Sequence, residues 1–309
     1  MTNHLDKSLK TSAGYVSIVG LPNAGKSTLL NKIVGSKLAI VSPKAQTTRN
    51  RILGIKNHGP TQIVFLDTPG IMKPRHRLDR AMLSSTWKSV YDSDLVIFLY
   101  DVLIIRDSKI DIEHQKIINN FIEKKIPLFF VINKIDKINK EGLLEIISNL
   151  ESKEQFSEIL FISAIDGSGI TELIDSISRK IPLSPWFYDK DQLTDLSSRE
   201  IASEITREKL FLILNQELPY SLTVETESWQ DNDDGSVLIQ QVIFIKRKSQ
   251  KVIIIGHKGS QIKKVGIASR KELQKIFNCK VHLKLFVKVR EDWINDKERY
   301  KMIRLDFVE

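Results

Sequence analysis

The chain has 309 residues, 41% hydrophobic and 28% charged, enough for about two globular domains at roughly 150 residues each. A single cysteine, Cys279, excludes an internal disulfide and fits a reducing cytoplasm. The net charge of +9 fits a polyanionic partner or simply general solubility, and six histidines without ligand spacing argue against zinc.

The start, MTNHLDKSLK, has no apolar h-region, so no secretory signal is expected. Apolar runs then alternate with amphipathic stretches. The runs are Tyr15–Gly20, Gln62–Thr68, Leu95–Val102, Pro127–Lys134 and Ile159–Ala164, with a more polar candidate edge strand at Arg51–Asn57. Leu95–Ile105 is the most apolar stretch, yet it is too short to cross a bilayer and contains Asp101. Continuous apolar strands separated by helices predict an α/β domain with a mostly parallel sheet covered on both faces.

The first run ends in GLPNAGKST, which matches G-x-x-x-x-G-K-[ST] between a strand and a helix. Backbone N–H groups there point at phosphate, and the helix N-terminus favours its charge. Gly20, Pro22, Asn23, Ala24, Gly25, Lys26, Ser27 and Thr28 are therefore assigned to the phosphates. Lys26 reaches the β- and γ-phosphates, and Ser27 gives an oxygen to Mg²⁺. A glycine turn without a ligand is the alternative.

Three further tetrapeptide-scale signals follow in order. Asp67-Thr68-Pro69-Gly70 ends the second of the five runs, where Asp67 can hold Mg²⁺ through water and the Gly70 N–H can meet the γ-phosphate. Asn133-Lys134-Ile-Asp136 ends another. The Asp136 carboxylate can accept from guanine N1–H and N2–H₂, a donor pair that adenine lacks. Asn133 can meet N7, and the Lys134 stem can cover the base. At Ser163-Ala164 a backbone N–H can meet O6. All four signals sit at strand C-termini, the ligand-binding edge of such sheets. The nucleotide is thus GTP or GDP with Mg²⁺.

The set resembles the translation-factor-related P-loop GTPases, and QTTR at Gln46–Arg49 looks like their first switch. That resemblance implies a metal-binding threonine, Thr48 or Thr47. One departure is Ile71, which stands where many relatives carry a water-orienting glutamine. The catalytic group is therefore unassigned, and slow turnover is expected.

Pro182–Asp195, PLSPWFYDKDQLTD, breaks the rhythm and reads as a linker. The expected organisation is a first domain over residues 12–181, a linker over 182–196 and a second domain over 197–309. Ser197–Glu200 reads as a capping box, followed by Ile201, Ile205 and Leu212 at helical spacing. Two strands come next, Ser221–Ser228 and Ser236–Lys248, then two helices around Ile262–Phe277. A last strand alternates strictly over Val281–Arg290. Between Lys246 and Arg290 stand 14 Lys or Arg against the single acidic Glu272, a local excess of 13 that leaves −4 for the other residues. Such concentration marks a nucleic-acid face.

Inside it lies Gly256-His257-Lys258-Gly259, too short to wrap a triphosphate. With its α-β-β-α-α-β context it resembles a type II KH domain, whose G-x-x-G loop clamps about four nucleotides. The resemblance assigns RNA contact to Gly256, His257, Lys258, Gly259, Lys263 and Lys264; a simple helix–helix turn is the alternative.

A GTPase domain followed by a type II KH domain is similar to the Era family over nearly the whole chain. GLPNAGKSTLLN, SPKAQTTRNRILGI, DTPG, NKID, ASEITREKL, ELPYS and IGHKGSQIKKVGIASRKELQ carry the match. It implies binding of the 3′ end of 16S ribosomal RNA, a role in 30S subunit maturation with GTP state controlling RNA access, and peripheral association with the inner membrane. A monomer is expected. A nucleotide-stabilised RNA-binding factor without switching, or a KH-bearing GTPase acting on another RNA, are the competing readings.

Overall fold

The computed structural model describes residues 11–42, 44, 47–71, 74, 76–107, 112–123, 126–150, 156–214, 218–291, 297, 300 and 304–307. The start MTNHLDKSLK and Gln46 of the switch-like stretch lie outside them. Among the described residues, 11–36, 51–71 and 83–195 form one compact unit. Residues 37–50, 74–82 and those from 196 onward form a second.

The first unit is built on β1 (Ser12–Gly20), α1 (Lys26–Val34), β2 (Ile52–His58), β3 (Thr61–Asp67), α2 (Arg77–Tyr91, from Leu83 on) and β4 (Leu95–Asp101). It continues through α3 (Val102–Asp107), α4 (Ile112–Glu123), β5 (Leu128–Asn133), α5 (Lys140–Leu150), β6 (Glu158–Phe161) and α6 (Ile170–Ser178). The sheet order is β2-β3-β1-β4-β5-β6. All pairings are parallel except β2 with β3, so the polar Arg51–Asn57 run is the antiparallel edge strand. β3 and β5 are buried along their whole length, as continuous apolar runs require. Because β1, β3, β4, β5 and β6 run the same way, the turns after them gather at one edge of the sheet.

The stretch read as a linker is strapped to this unit. The Ile55 N–H donates to the Leu193 carbonyl at 2.8 Å, and Thr194 Oγ1 donates to the Leu53 carbonyl at 2.7 Å. Fully buried Gln62 accepts from the N–H groups of Phe187 and Tyr188 at 2.8 and 2.9 Å. Phe187 stacks on Tyr15.

The second unit contains α7 (Ser198–Ile213), β7 (Leu222–Asp231), β8 (Val237–Ile245), α8 (Lys248–Ile255), α9 (Ser260–Phe277) and β9 (Val281–Val289). β8 is central, antiparallel to β7 and parallel to β9. The Ser197–Glu200 capping box forms. Ile262–Phe277, expected to hold two helices, is one uninterrupted helix, α9; the other helix, α8, lies at Lys248–Ile255, because the break between them is the turn at Gly256–Gly259. β9 turns Leu283, Leu285 and Val287 toward the helices and leaves Lys284, Phe286 and Lys288 exposed.

Helix α7 differs from its expected face. Leu212 is 47% exposed, while Ala202, Thr206, Arg207, Glu208 and Phe211 are buried. Arg207 and Glu208 are buried because α7 is covered on two sides. One side meets the sheet and α9; Glu208 and its neighbours meet residues 37–50.

Candidate nucleotide and nucleic-acid sites

At the end of β1 the chain turns through Gly20–Gly25 into α1. Gly25 has φ 100°, and a Cβ placed there would stand 2.3 Å from Asn133 Nδ2. Only glycine fits, which is the mark of a loop wrapped closely around neighbouring groups. The Lys26 ammonium is buried and donates to the carbonyls of Gly20 at 3.2 Å and Leu21 at 2.8 Å. Burial pulls it down to about 8, with the Asp67 carboxylate pulling the other way.

Ser27 Oγ donates to Asp67 Oδ2 at 2.7 Å, joining the start of α1 to the end of β3. A hydroxyl and a carboxylate side by side at a buried helix N-terminus are the hard oxygen donors that Mg²⁺ takes, so the residues present fit that ion. Thr68 Oγ1 is tied to the Ile18 carbonyl at 2.9 Å, and Thr86 Oγ1 to the Pro69 carbonyl at 3.2 Å. A Cβ on Gly70 would meet the Pro22 nitrogen at 3.0 Å, so the two loops are in close contact. Ile71 donates its N–H to the Gly20 carbonyl at 3.2 Å. Its side chain is 7% exposed and packs in the core with Val19, Phe98 and Tyr100.

Asn133 lies at the end of β5. Its Nδ2 donates to the Ala24 carbonyl at 2.8 Å, and its Oδ1 accepts from the Ala164 N–H at 3.0 Å. Ser163 Oγ donates to Asp136 Oδ1 at 2.8 Å. One amide thus connects the phosphate loop, the Asn133–Asp136 turn and the Ser163–Ala164 loop. Lys134 adopts a left-handed backbone, φ 68°, an uncommon conformation for a side-chain-bearing residue that clusters at functional sites. Its ammonium meets Asp101 Oδ2 at 2.6 Å. Asp101 was read from sequence only as a polar interruption of an apolar run. The signal that could have found it is its place, a carboxylate closing an apolar strand as Asp67 does.

Thr47 and Thr48 belong to the second unit. Arg207 Nη2 donates to the Thr47 carbonyl at 2.6 Å, Arg49 Nη1 to the Leu222 carbonyl at 2.6 Å, and the Val41 N–H to Glu208 Oε2 at 3.2 Å. Lys37 pairs with Glu208 at 2.8 Å and with Glu272, and Lys209 pairs with both carboxylates. Lys44 donates to the carbonyls of Phe211 and Leu214 at the end of α7. The structure therefore brings Ser27 and Asp67 together and groups the candidate switch threonines with α7.

In the same unit Gly256, with φ 72°, and Gly259, with φ 78°, bracket the turn between α8 and α9. His257 and Lys258 are exposed at its tip, and Lys263 and Lys264 on the first turns of α9 are exposed too. Lys258 is left-handed, φ 49°. Exposed cations thus surround a turn whose two glycines are partly exposed.

A family model described as a 50S ribosome-binding GTPase matches residues 15–134, and a KH domain model matches residues 217–294. GTPase Era of Mesorhizobium japonicum is 46% identical over 297 residues, 96% of this chain and 94% of the relative. GTPase Era of Agrobacterium fabrum is 48% identical over 304 residues, 98% of this chain and 94% of the relative. Among solved structures, a tyrosine-to-alanine variant of Aquifex aeolicus Era bound to GDP and AlF4⁻ superposes with a TM-score of 0.88 at 37% identity, covering 95% of this chain and 99% of the other. A complex of Era with MgGDPNP and nucleotides 1506–1542 of 16S ribosomal RNA gives the same figures.

Proposed function

The chain belongs to the Era family of GTPases, and on that premise we propose that it is a slow, Mg²⁺-dependent GTP switch. It binds the 3′ end of 16S ribosomal RNA and assists assembly of the 30S subunit. Residues 12–181 carry the nucleotide work and residues 197–309 the RNA, joined through 182–196. The protein acts as a monomer in the cytoplasm, and where it meets the inner membrane it does so peripherally, through basic charge.

The observation that carries this reading is the Asn133 amide, bonded at once to Ala24 and Ala164. It makes one site of the phosphate loop and the base-reading loops. GTP entering that site exchanges existing partners for its own. Phosphate oxygens replace the Gly20 and Leu21 carbonyls at the Lys26 ammonium. Guanine O6 replaces Asn133 Oδ1 at the Ala164 N–H, and N7 takes the second Nδ2 proton of Asn133. Asp136, held by Ser163, accepts from N1–H and N2–H₂, and the Lys134 stem covers the base face. Gly70 presents its N–H to the γ-phosphate. Ser27 and Asp67 would hold Mg²⁺, which when bound would supply positive charge to the phosphate oxygens. The Ile71 side chain, packed in the core, neither donates nor accepts, so it does not orient the attacking water. On the RNA side, Gly256–Gly259 meets the sugar-phosphate backbone, and Lys258, Lys263 and Lys264 neutralise it.

The test compares GTP, GDP and ATP affinity of the full chain, and GTP hydrolysis with and without a 3′ 16S ribosomal RNA fragment. Guanine selectivity with RNA-dependent turnover is expected. Equal affinity for ATP and GTP overturns the nucleotide assignment. Guanine binding with no hydrolysis in either condition favours a nucleotide-stabilised RNA-binding factor instead.

A further inference from the structure

We propose that Asp101 is a positioning residue for guanine recognition, acting by fixing the Lys134 side chain. The inference rests on the reading of Asn133–Asp136 as the base site, and it extends that site to a strand outside every nucleotide motif.

Each side chain of the Asn133–Asp136 turn needs an anchor to present its polar or flat surface to a base. Asn133 has Ala24 and Ala164, and Asp136 has Ser163. Lys134 has Asp101. The parallel pairing of β4 with β5 sets Asp101 directly opposite Asn133, one residue from Lys134. Asp101 Oδ2 takes the ammonium at 2.6 Å, while Oδ1 accepts the Leu103 N–H at 3.0 Å in the first turn of α3. Both oxygens are committed, so the carboxylate itself is held in place. The two side chains are 14% and 26% exposed, where a charge pair is less screened than at the open surface.

A lysine stem has four rotatable bonds and loses much rotamer freedom when it is ordered. If its far end is already tethered, the stem is laid out before a base arrives, and less freedom is lost on binding. The strained left-handed Lys134 backbone starts that stem in one direction, and Asp101 fixes where it ends. Bracing of this kind serves base binding and not phosphate chemistry. Its loss therefore affects GDP and GTP equally and leaves the chemical step alone.

The experiment uses the full chain and three variants, Asp101→Asn, Lys134→Met and the double substitution. Asparagine keeps an acceptor for the Leu103 N–H and removes the charge, and asparagine and aspartate are equally good at such positions. Asp101→Asn is expected to weaken GDP and GTP binding alike by roughly tenfold, the size of one charge-assisted contact, with unchanged kcat at saturating GTP. In the Lys134→Met background it is expected to add nothing, because it acts through that lysine. A full additional loss there overturns the proposal, as does unchanged affinity in the single variant or a fall in kcat. If Lys134→Met itself leaves guanine affinity unchanged, the bracing is overturned, and the base-site reading fails with it only if the wild type binds ATP as tightly as GTP. If Lys134→Met weakens binding and Asp101→Asn does not, the base site stands and only the bracing is wrong. A melt of each nucleotide-free variant accompanies the affinities. A variant that is unfolded at the assay temperature counts against a role confined to positioning.

Discussion

Arg207 Nη2 donates to the Thr47 carbonyl oxygen at 2.6 Å, across 160 positions of sequence. The Arg207 guanidinium is buried and is oriented by Glu204, which meets its Nε at 2.9 Å and its Nη2 at 2.6 Å. A charged donor in this setting is worth about 1.5–3 kcal/mol. Arg207→Met is therefore expected to raise amide exchange around Thr47–Arg49 by roughly ten- to a hundredfold, with exchange in β8 unchanged. Native protection throughout 37–50 would mean that Lys44, Arg49 and the Lys37 pairs hold the segment without Arg207.

Asp136→Asn should weaken guanine binding at least about a hundredfold, since on the proposed reading the carboxylate accepts two charge-assisted bonds that an amide cannot accept together. The same variant should gain affinity for xanthine nucleotides, whose base presents an acceptor where guanine has its amino group. Competition with GDP and XDP against a fluorescent nucleotide reads both effects. Retention of GDP affinity would remove Asp136 from the base site.

Lys26 sets a pH dependence. In the free protein burial lowers it to about 8, whereas phosphate oxygens favour its charged form. Above pH 8 GDP binding must take up a proton, so affinity falls as pH rises, by up to about tenfold per unit. Below that pH this group adds no dependence. Without nucleotide the sign reverses: between about 8 and the unfolded value the folded state holds fewer protons, so this group's share of stability rises with pH. Calorimetry in buffers of different ionisation heat, near pH 7 and near pH 9, measures the uptake. Zero uptake near pH 9 would contradict it.

Ile71→Ala removes a core side chain, and a cost of about 2–5 kcal/mol to folding is expected. Hydrolysis of bound GTP should stay within roughly threefold of wild type, because an aliphatic group is neither acid nor base. Denaturant unfolding and single-turnover hydrolysis separate the two quantities. A stable protein that binds GTP but no longer cleaves it would show that Ile71 shapes the position of the water.

Replacing both His257 and Lys258 by aspartate should abolish RNA binding by the full chain while leaving GTP binding unchanged, since like charge would then face phosphate. The full chain is the right object, because residues 37–50 cover part of α7 in the second unit. For wild type, about four backbone contacts predict a log–log salt slope of roughly −3 on single-stranded RNA. Loss of GTP with retention of RNA would reverse the roles of the two glycine loops.

The placement of the loops read as nucleotide-binding was legible because their signals are local. Gly20–Ser27, Asp67–Gly70 and Asn133–Asp136 each need a contiguous run of fixed residue types, and each closes an apolar strand whose direction the pattern already implies. The order of those runs suffices to gather them at one sheet edge. The turn at Gly256–Gly259 was legible for the same reason, from its two glycines. The strict alternation of Val281–Arg290 gave the two faces of β9.

Tertiary structure alone decided the contacts that join residues far apart in the chain. Asp101 looks like a flaw in an apolar strand until the β4–β5 register sets it opposite Asn133. Prolines made Pro182–Asp195 resemble a tether, yet buried Gln62 and the edge strand β2 bind it to the sheet. Leu212 lies at core spacing by periodicity and is exposed, whereas Arg207 and Glu208 are buried because they meet Thr47 and Val41. Periodicity records how many faces of a helix are apolar. It holds no record of a second segment that satisfies buried charges on another face, since those partners are set by chain folding and not by spacing.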